Sequence, residues 1–388
     1  MSGPGGRRRR LGLRGGESLS WRKQKSLHIH KALTSDPVDI DVLRGAAQTD
    51  GGLLSQEIRR KVWPKLLSLN VFHLPPKPGR WVRCNHRDYN QVQMDVRRSL
   101  KRFPAGMSDA ERSVLLEQLT DMILYVLQSH PDLHYYQGFH DIAVTLLLTV
   151  GLRLGTGMLS TLSTHHLRDF MDPTMDRTKH ILNYLMPLIQ SENSELHKFL
   201  LRSEVGCIFA LSWLITWYSH VLTDYQHVLR LYDFFLATHP LMPVYCAAQM
   251  VLMREQEVLA CDCDMASVHQ LLSKIPTNFS YESLVSHSLR LFQRHPPSQL
   301  MKQASQHKHK SFSVASFHSL QISSSTQRPD FILQRQLQSE PPRSLPPRAQ
   351  NPLVKLAVWG LSASIGAAAF AVAQSALELG PEFLMGLF

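Results

Sequence analysis

This sequence predicts an all-α protein, and three observations carry the prediction. Apolar residues recur at three-and-four spacing in one segment after another between about Lys31 and Gln299. No segment alternates convincingly with period two, as a half-buried strand would. Proline, glycine, aspartate and serine separate the apolar runs into helix-sized pieces. These are too numerous for a simple four-helix bundle, and they show no internal repeat of fixed period.

The elements follow in chain order. Ordered structure is expected to begin near Lys31–Leu33. "RDYNQVQMDVRRSLKRFPAG" sets Tyr89, Val92, Val96, Leu100 and Phe103 on one helical face, and Pro104-Ala-Gly ends it. "VLLEQLTDMILYVLQ" does the same with Leu115, Leu116, Leu119, Met122, Ile123, Val126 and Leu127, and Pro131 stops it. After the connection "HYYQGFH", "DIAVTLLLTVGLRLG" resumes as a more fully buried helix. "HILNYLMPLI", "GCIFALSWLITWYSHVL", "HVLRLYDFFLAT", "VYCAAQMVLMREQEVL" and "MASVHQLLSKI" continue the array. Val205–Leu222 is long and apolar enough to weigh as a membrane span. It carries Trp213, Trp217, Ser219 and His220 inside a continuous helical array, and a buried core helix is the better reading.

Composition divides the rest. Residues 1–30, with "MSGPGGRRRRLGLRGG", read as a solvated basic tail, because Gly and Arg cannot bury enough surface to offset chain entropy. The helical domain then spans 31–299. Residues 300–352 are rich in Ser, Gln, His and Pro and read as a flexible linker. Between Lys355 and Glu378 no charge occurs, so 353–378 is long enough for a transmembrane helix, which needs ~20 residues to cross a core of ~30 Å. Arg343, Arg348 and Lys355 precede it and Glu378 and Glu382 follow. The large N-terminal part should therefore face the cytosol, with a short lumenal tail at 379–388.

The net charge of +11 invites a nucleic-acid reading. Its excess gathers in "RRRR", "WRKQK" and "HKHK", mostly outside the domain, without the interleaved aromatics of a single-strand-binding surface. No nucleic-acid partner is expected. Five cysteines at irregular positions make no disulfide framework. Cys261 and Cys263, near Asp262, Asp264 and His269, lack the spacing of a zinc site and read as the approach to a helix with acidic residues in its first turn.

Two chemistries compete for "YYQGFHD" at residues 135–141. His140-Asp141 is an adjacent pair of the kind used by metal phosphohydrolases, for which His130, Asp172, His165 and His166 are the available further ligands. None has a spacing that makes metal binding specific, and a polar residue at a helix start commonly serves the helix itself. The other candidate is Gln137, whose amide can position a water molecule. Arg98 lies off the apolar stripe of its helix with Asp95 one turn earlier. On spacing alone it reads as part of a solvated basic face with Arg97, Lys101 and Arg102.

Three pieces recur in order: "RRKVW" with Arg59 and Trp63, "VQMDVRRS" with Asp95 and Arg98, and "YYQG" with Gln137. Together they resemble the signature of the TBC domain, the all-helical GTPase-activating module for Rab GTPases: Arg-x-x-x-Trp, Ile-x-x-Asp-x-x-Arg and Tyr-x-Gln-Gly. The resemblance covers about Gly51 to Phe292, with Val92 in place of Ile, Ser99 in place of Thr and Phe139 where Met often stands. It implies that Arg98 is an arginine finger and Gln137 a second finger, both supplied in trans to a Rab GTPase in its GTP-bound form. It further implies that Asp95 orients Arg98, that Tyr136 and Gly138 shape the turn of Gln137, and that Arg59 and Trp63 are structural. Magnesium and GTP would be held by the Rab, so no cofactor of the chain's own is expected, and no "GxxxxGK[ST]" occurs. The likeness extends to an endoplasmic-reticulum-anchored branch of the family acting in early secretory traffic, which implies that membrane as the location. A membrane-anchored scaffold that binds a Rab without accelerating hydrolysis is the rival class, since it needs neither Arg98 nor Gln137.

Overall fold

The computed structural model describes residues 9–104, 106–304 and 311–339, and among them every regular element is a helix. The chain runs through α1 (Arg9–Thr34), α2 (Ile40–Gln48), α3 (Gln56–Leu66), α4 (Tyr89–Arg98), α5 (Asp109–Ser129), α6 (Phe139–Val150) and α7 (Leu152–Thr164). It continues through α8 (Asp176–Leu182), α9 (Leu185–Glu192), α10 (Ser194–Arg202), α11 (Leu211–Ile215), α12 (Tyr225–Leu236) and α13 (Met242–Leu252). The remaining helices are α14 (Glu255–Ala260), α15 (Met265–Ser273), α16 (Tyr281–Arg294), α17 (Pro297–Ala304), α18 (Phe312–Ser325) and α19 (Asp330–Ser339).

The core belongs to the unit that ends at Leu333. Helices α6 and α13 are buried on nearly every face, as their largely apolar sequences require, and α12 is buried from Val228 to Leu236, where Arg230 and Asp233 are both paired. Around them α13 packs on α9, α11 and α16, and α5 packs on α4, α6 and α7. Local signals start many of these helices. Ser108 and Glu111 form a reciprocal capping box on α5, while Ser55, Asn193, Asp224 and Asp264 accept backbone N–H bonds at the starts of α3, α10, α12 and α15. Asp264 is therefore a helix cap, and the Cys261 and Cys263 thiols point to the carbonyls of Val258 and Phe199.

Tertiary packing departs from the sequence reading at several places. A helix occupies Arg9–Thr34, where composition predicts a solvated tail through residue 30. Its described side chains explain the order: Ile29 is buried, Lys25 Nζ donates to Thr49 and to the Asp50 carbonyl, and Arg22 reaches the Leu54 carbonyl. Those partners lie far downstream, so no local pattern announces them.

Val205–Leu222 is mostly buried, with Gly206, Ile208 and His220 exposed, and it is not one helix. It comprises a 3₁₀ turn at Ile208–Ala210, the five-residue α11, and then Trp217 and Tyr218 at φ 47° and 63°. The left-handed pair is held by aromatic packing of Trp217 on Tyr232 and Phe235 and by the Tyr218 hydroxyl, which donates to the Pro243 carbonyl. Gly151, at φ 84°, likewise divides the expected single helix into α6 and α7.

The 300–352 stretch, expected to be linker, holds the end of α17 and the whole of α18 and α19 in its described part. Arg44 donates to Ser324 Oγ, Val38 N–H to the Gln327 carbonyl, and the buried Lys65 pairs with Asp330. The proposed span at 353–378 and the tail at 379–388 lie outside the described residues. Among those described, no helix is long and apolar enough to cross a membrane.

Candidate functional site

Helix α4 ends on Arg98, and the connection after α5 carries Gln137, so the two candidate fingers sit on separate elements. Arg98 Nη1 donates to Asp95 Oδ1 at 2.8 Å, one turn back on α4. The exposures differ sharply: 59% for the Arg98 side chain, none for Asp95. A buried carboxylate thus tethers a guanidinium that faces solvent, which directs the arginine while leaving most of its donors free.

Asp95 has two further donors. Gln91 Nε2 and the Tyr135 hydroxyl each reach Oδ2 at 3.0 Å. Burial first, and then the neighbouring Asp95 charge, push the Tyr135 hydroxyl far above its ordinary pKa, so it remains a proton donor at any working pH. Tyr135 stands two residues before Gln137. Its hydroxyl therefore joins the arginine helix to the glutamine loop, a role the sequence reading did not give it. The only signal was its place as the Tyr of Tyr-x-Gln-Gly.

The loop is held on its other side by α11. Tyr136 donates its hydroxyl to the Ile215 carbonyl at 2.8 Å, and its ring lies against Phe139 and Phe170. Gly138 takes φ 112°, and a Cβ there would stand 2.8 Å from Thr216 Cγ2. Glycine is needed twice over, for backbone conformation and for space. Gln137 itself is exposed.

His140 and Asp141 open α6, where both are buried. Asp141 accepts from Arg102 Nε at 3.1 Å, and His220 Nδ1 lies 3.0 Å from its other oxygen. Burial alone would raise the Asp141 pKa; the His220 hydrogen bond and the charges of His140 and Arg102 outweigh it and hold the carboxyl below its usual range. Burial lowers the His140 pKa, with Asp141 and Asp95 opposing. Three of the further ligands of the metal reading are spent elsewhere: His130 on Ser160, Asp172 on Arg168 and Arg177, and His165 on Thr161. The fourth, His166, is buried between the Trp217 and Phe317 rings. No group of three His, Cys, Asp or Glu able to hold a metal ion occurs among the described residues.

Arg59 and Trp63 are remote from this chemistry in what they touch. Arg59 makes a two-pronged ion pair with Asp233, and Trp63 Nε1 donates to the same carboxylate at 2.8 Å, all of it buried. Leu53 N–H adds a fourth donor at 3.0 Å.

The sequence profile of the Rab-GTPase-TBC domain matches residues 56–259, which hold α4, the Gln137 loop and α11 together. The chain belongs to the Rab-GTPase-TBC family. It is 55% identical over 374 residues to human TBC1 domain family member 20, covering 95% of this chain and 93% of the relative. The bovine protein of that name is 53% identical over 385 residues, covering 97% and 95%. A fission-yeast relative, GTPase-activating protein gyp10 of Schizosaccharomyces pombe, is 33% identical over 272 residues, covering 69% and 71%. The crystal structure of the Ypt/Rab-GAP domain of Gyp1p superposes with a TM-score of 0.55, covering 70% of this chain and 98% of that one. At 15% identity this likeness shows a shared fold alone. The chain thus carries a Rab GTPase-activating TBC domain.

Proposed function

We propose that this TBC protein accelerates GTP hydrolysis by a Rab GTPase of the early secretory pathway, between endoplasmic reticulum and Golgi, using Arg98 and Gln137 in trans. The observation that carries the reading is the Tyr135–Asp95–Arg98 chain of hydrogen bonds, which couples an exposed arginine to the loop bearing an exposed glutamine. The Rab would hold GTP and magnesium. Phosphoryl transfer leaves the protein little covalent work, so catalysis rests on positioning and on neutralising charge as the γ-phosphoryl moves. Arg98 is permanently charged and supplies that neutralisation, while the Gln137 amide aligns the attacking water. An arginine so supplied is worth ~10³–10⁵ in rate, or roughly 4–7 kcal/mol of barrier. We assign residues 353–378 as a C-terminal anchor in the endoplasmic-reticulum membrane with the TBC domain in the cytosol, on the uncharged run between Lys355 and Glu378.

The test is single-turnover GTP hydrolysis across a panel of Rabs, with the full chain in detergent micelles and the variants Arg98→Ala and Gln137→Ala. Stimulation of one Rab by the native chain, falling by about three to five orders of magnitude in Arg98→Ala and strongly in Gln137→Ala, is the expected outcome. Tight binding of a GTP-loaded Rab with no stimulation anywhere in the panel would replace the activator with a scaffold.

A further inference from the structure

We propose that the segment from Ser311 to Gln327, beyond the family-matched residues, is part of the catalytic module, and that Asp169 is a positioning residue through which it steadies the Gln137 loop. The proposal rests on the reading of Gln137 given above. Asp169 is buried in the 3₁₀ turn Arg168–Phe170, yet it faces no site of its own. Its carboxylate instead seats the start of α18. It accepts from the Ser311 hydroxyl, from Phe312 N–H at 2.8 Å and from Ser313 N–H at 3.3 Å, while its own N–H donates to Ser313 Oγ at 3.4 Å. The Ser311 hydroxyl also caps α18 by accepting from Val314 N–H.

The segment is held along its length. Arg177 and Arg168 lie over the Phe312 ring at 3.7 and 5.0 Å, and Phe317 packs edge-on against His166 and His239. At its far end Arg44 holds Ser324, and Val38 holds Gln327.

The residues that follow Asp169 touch the glutamine loop directly. The Phe170 ring stands edge-on to Tyr136 at 6.2 Å, and the Met171 carbonyl accepts from His134 N–H at 2.9 Å. Tyr136 and His134 are one and three residues before Gln137. The short turn Asp169–Met171 is therefore fixed on one side by α18 and grips the loop on the other. A displacement near 1 Å of a catalytic group costs on the order of a hundredfold in rate, so the steadiness of this turn bears on the chemistry even though Asp169 touches no substrate.

The experiment uses the full chain in micelles with Asp169→Asn, the milder Ser311→Ala, and Arg328→Ala at the far end, where Arg328 pairs with Asp36 on the surface. For the stimulated Rab, Asp169→Asn should lower kcat by roughly tenfold at unchanged KM. Hydrogen exchange at His134 should quicken while the melting temperature stays near that of the native chain. Ser311→Ala should move both readouts the same way by less, and Arg328→Ala neither. Unchanged kcat and unchanged exchange at His134 in Asp169→Asn would overturn the proposal. So would an equal effect of Arg328→Ala, which would reduce the segment to general stabilisation. Should the native chain stimulate no Rab, the reading of Gln137 fails, and exchange at His134 still decides whether Asp169 holds the loop.

Discussion

Gly138 shows how much of the site rests on single residues. Its φ of 112° is open to glycine and disfavoured for any side chain, and the space where a Cβ would sit is taken by Thr216. Gly138→Ala is expected to cost about 1–3 kcal/mol, measurable by urea unfolding, and to slow stimulated hydrolysis by displacing Gln137. Full activity in a folded Gly138→Ala chain would mean that the loop relaxes without moving its glutamine. Asp95 and Asp141 show a second lesson at this scale. Both are buried carboxylates beside the loop, and each is defined by the donors it receives. Asp95 serves Arg98 and Tyr135, and Asp141 serves Arg102 and His220. The adjacent His140-Asp141 pair that invites a metal reading is spent on intramolecular pairing.

Among elements, α18 has the least expected surroundings. Its Phe317 contacts His166 and His239, and both ring nitrogens of His166 are buried without hydrogen-bond partners among the described residues. Burial, with the charges of His165 and His239 adding to it, lowers the His166 pKa to about 3, and burial lowers that of His239 to about 4, from the ordinary 6.5. The folded chain thus keeps both rings neutral where the unfolded chain takes up protons. Their stabilising contribution is complete above the unfolded pKa and is lost as pH falls from there toward the folded values. His166→Phe removes one of the two groups and keeps a flat ring against Phe317 and Trp217. Thermal melting at about pH 7.5 and about pH 5 should show a smaller loss for this variant than for the native chain. An identical loss in both would remove His166 from the acid response. The break at Gly151 belongs to the same scale, since the helical reading on either side of it is correct and only the joint is misread. Around Trp217-Tyr218 the expected helix is itself reduced to a 3₁₀ turn and the five-residue α11.

Across the molecule, Asp233 ties together parts of the chain far apart in sequence. It receives Arg59 and Trp63 from α3 and the Leu53 N–H, at separations of 170 to 180 residues. Removing one partner of a buried pair leaves an uncompensated charge, so Arg59→Ala should lose about 3–5 kcal/mol in urea unfolding. Its residual activity, where folded protein persists, should keep a native KM for the Rab, because Arg59 makes its contacts in the core. A native unfolding midpoint for Arg59→Ala would show that the remaining donors suffice.

What the sequence determined by itself was the helical class, the order of the three motifs, the apolar face of α5 and that of α4 as far as Val96. The helical class and these faces follow from a local rule, since residues three and four apart share a helix face whatever surrounds them. Leu100, read on the same face, lies exposed in the 3₁₀ turn beyond α4. Tertiary structure alone decided the order of α1, the left-handed break at Trp217-Tyr218, the docking of α18, and the Tyr135–Asp95 bond across 40 residues. Each depends on a partner brought near by packing. The Arg44–Ser324 contact, 280 residues apart, has no periodicity from which it could be read. Polar and aromatic partners at such distances are chosen by shape and by the need to satisfy buried donors and acceptors, and those demands exist only once the core has formed.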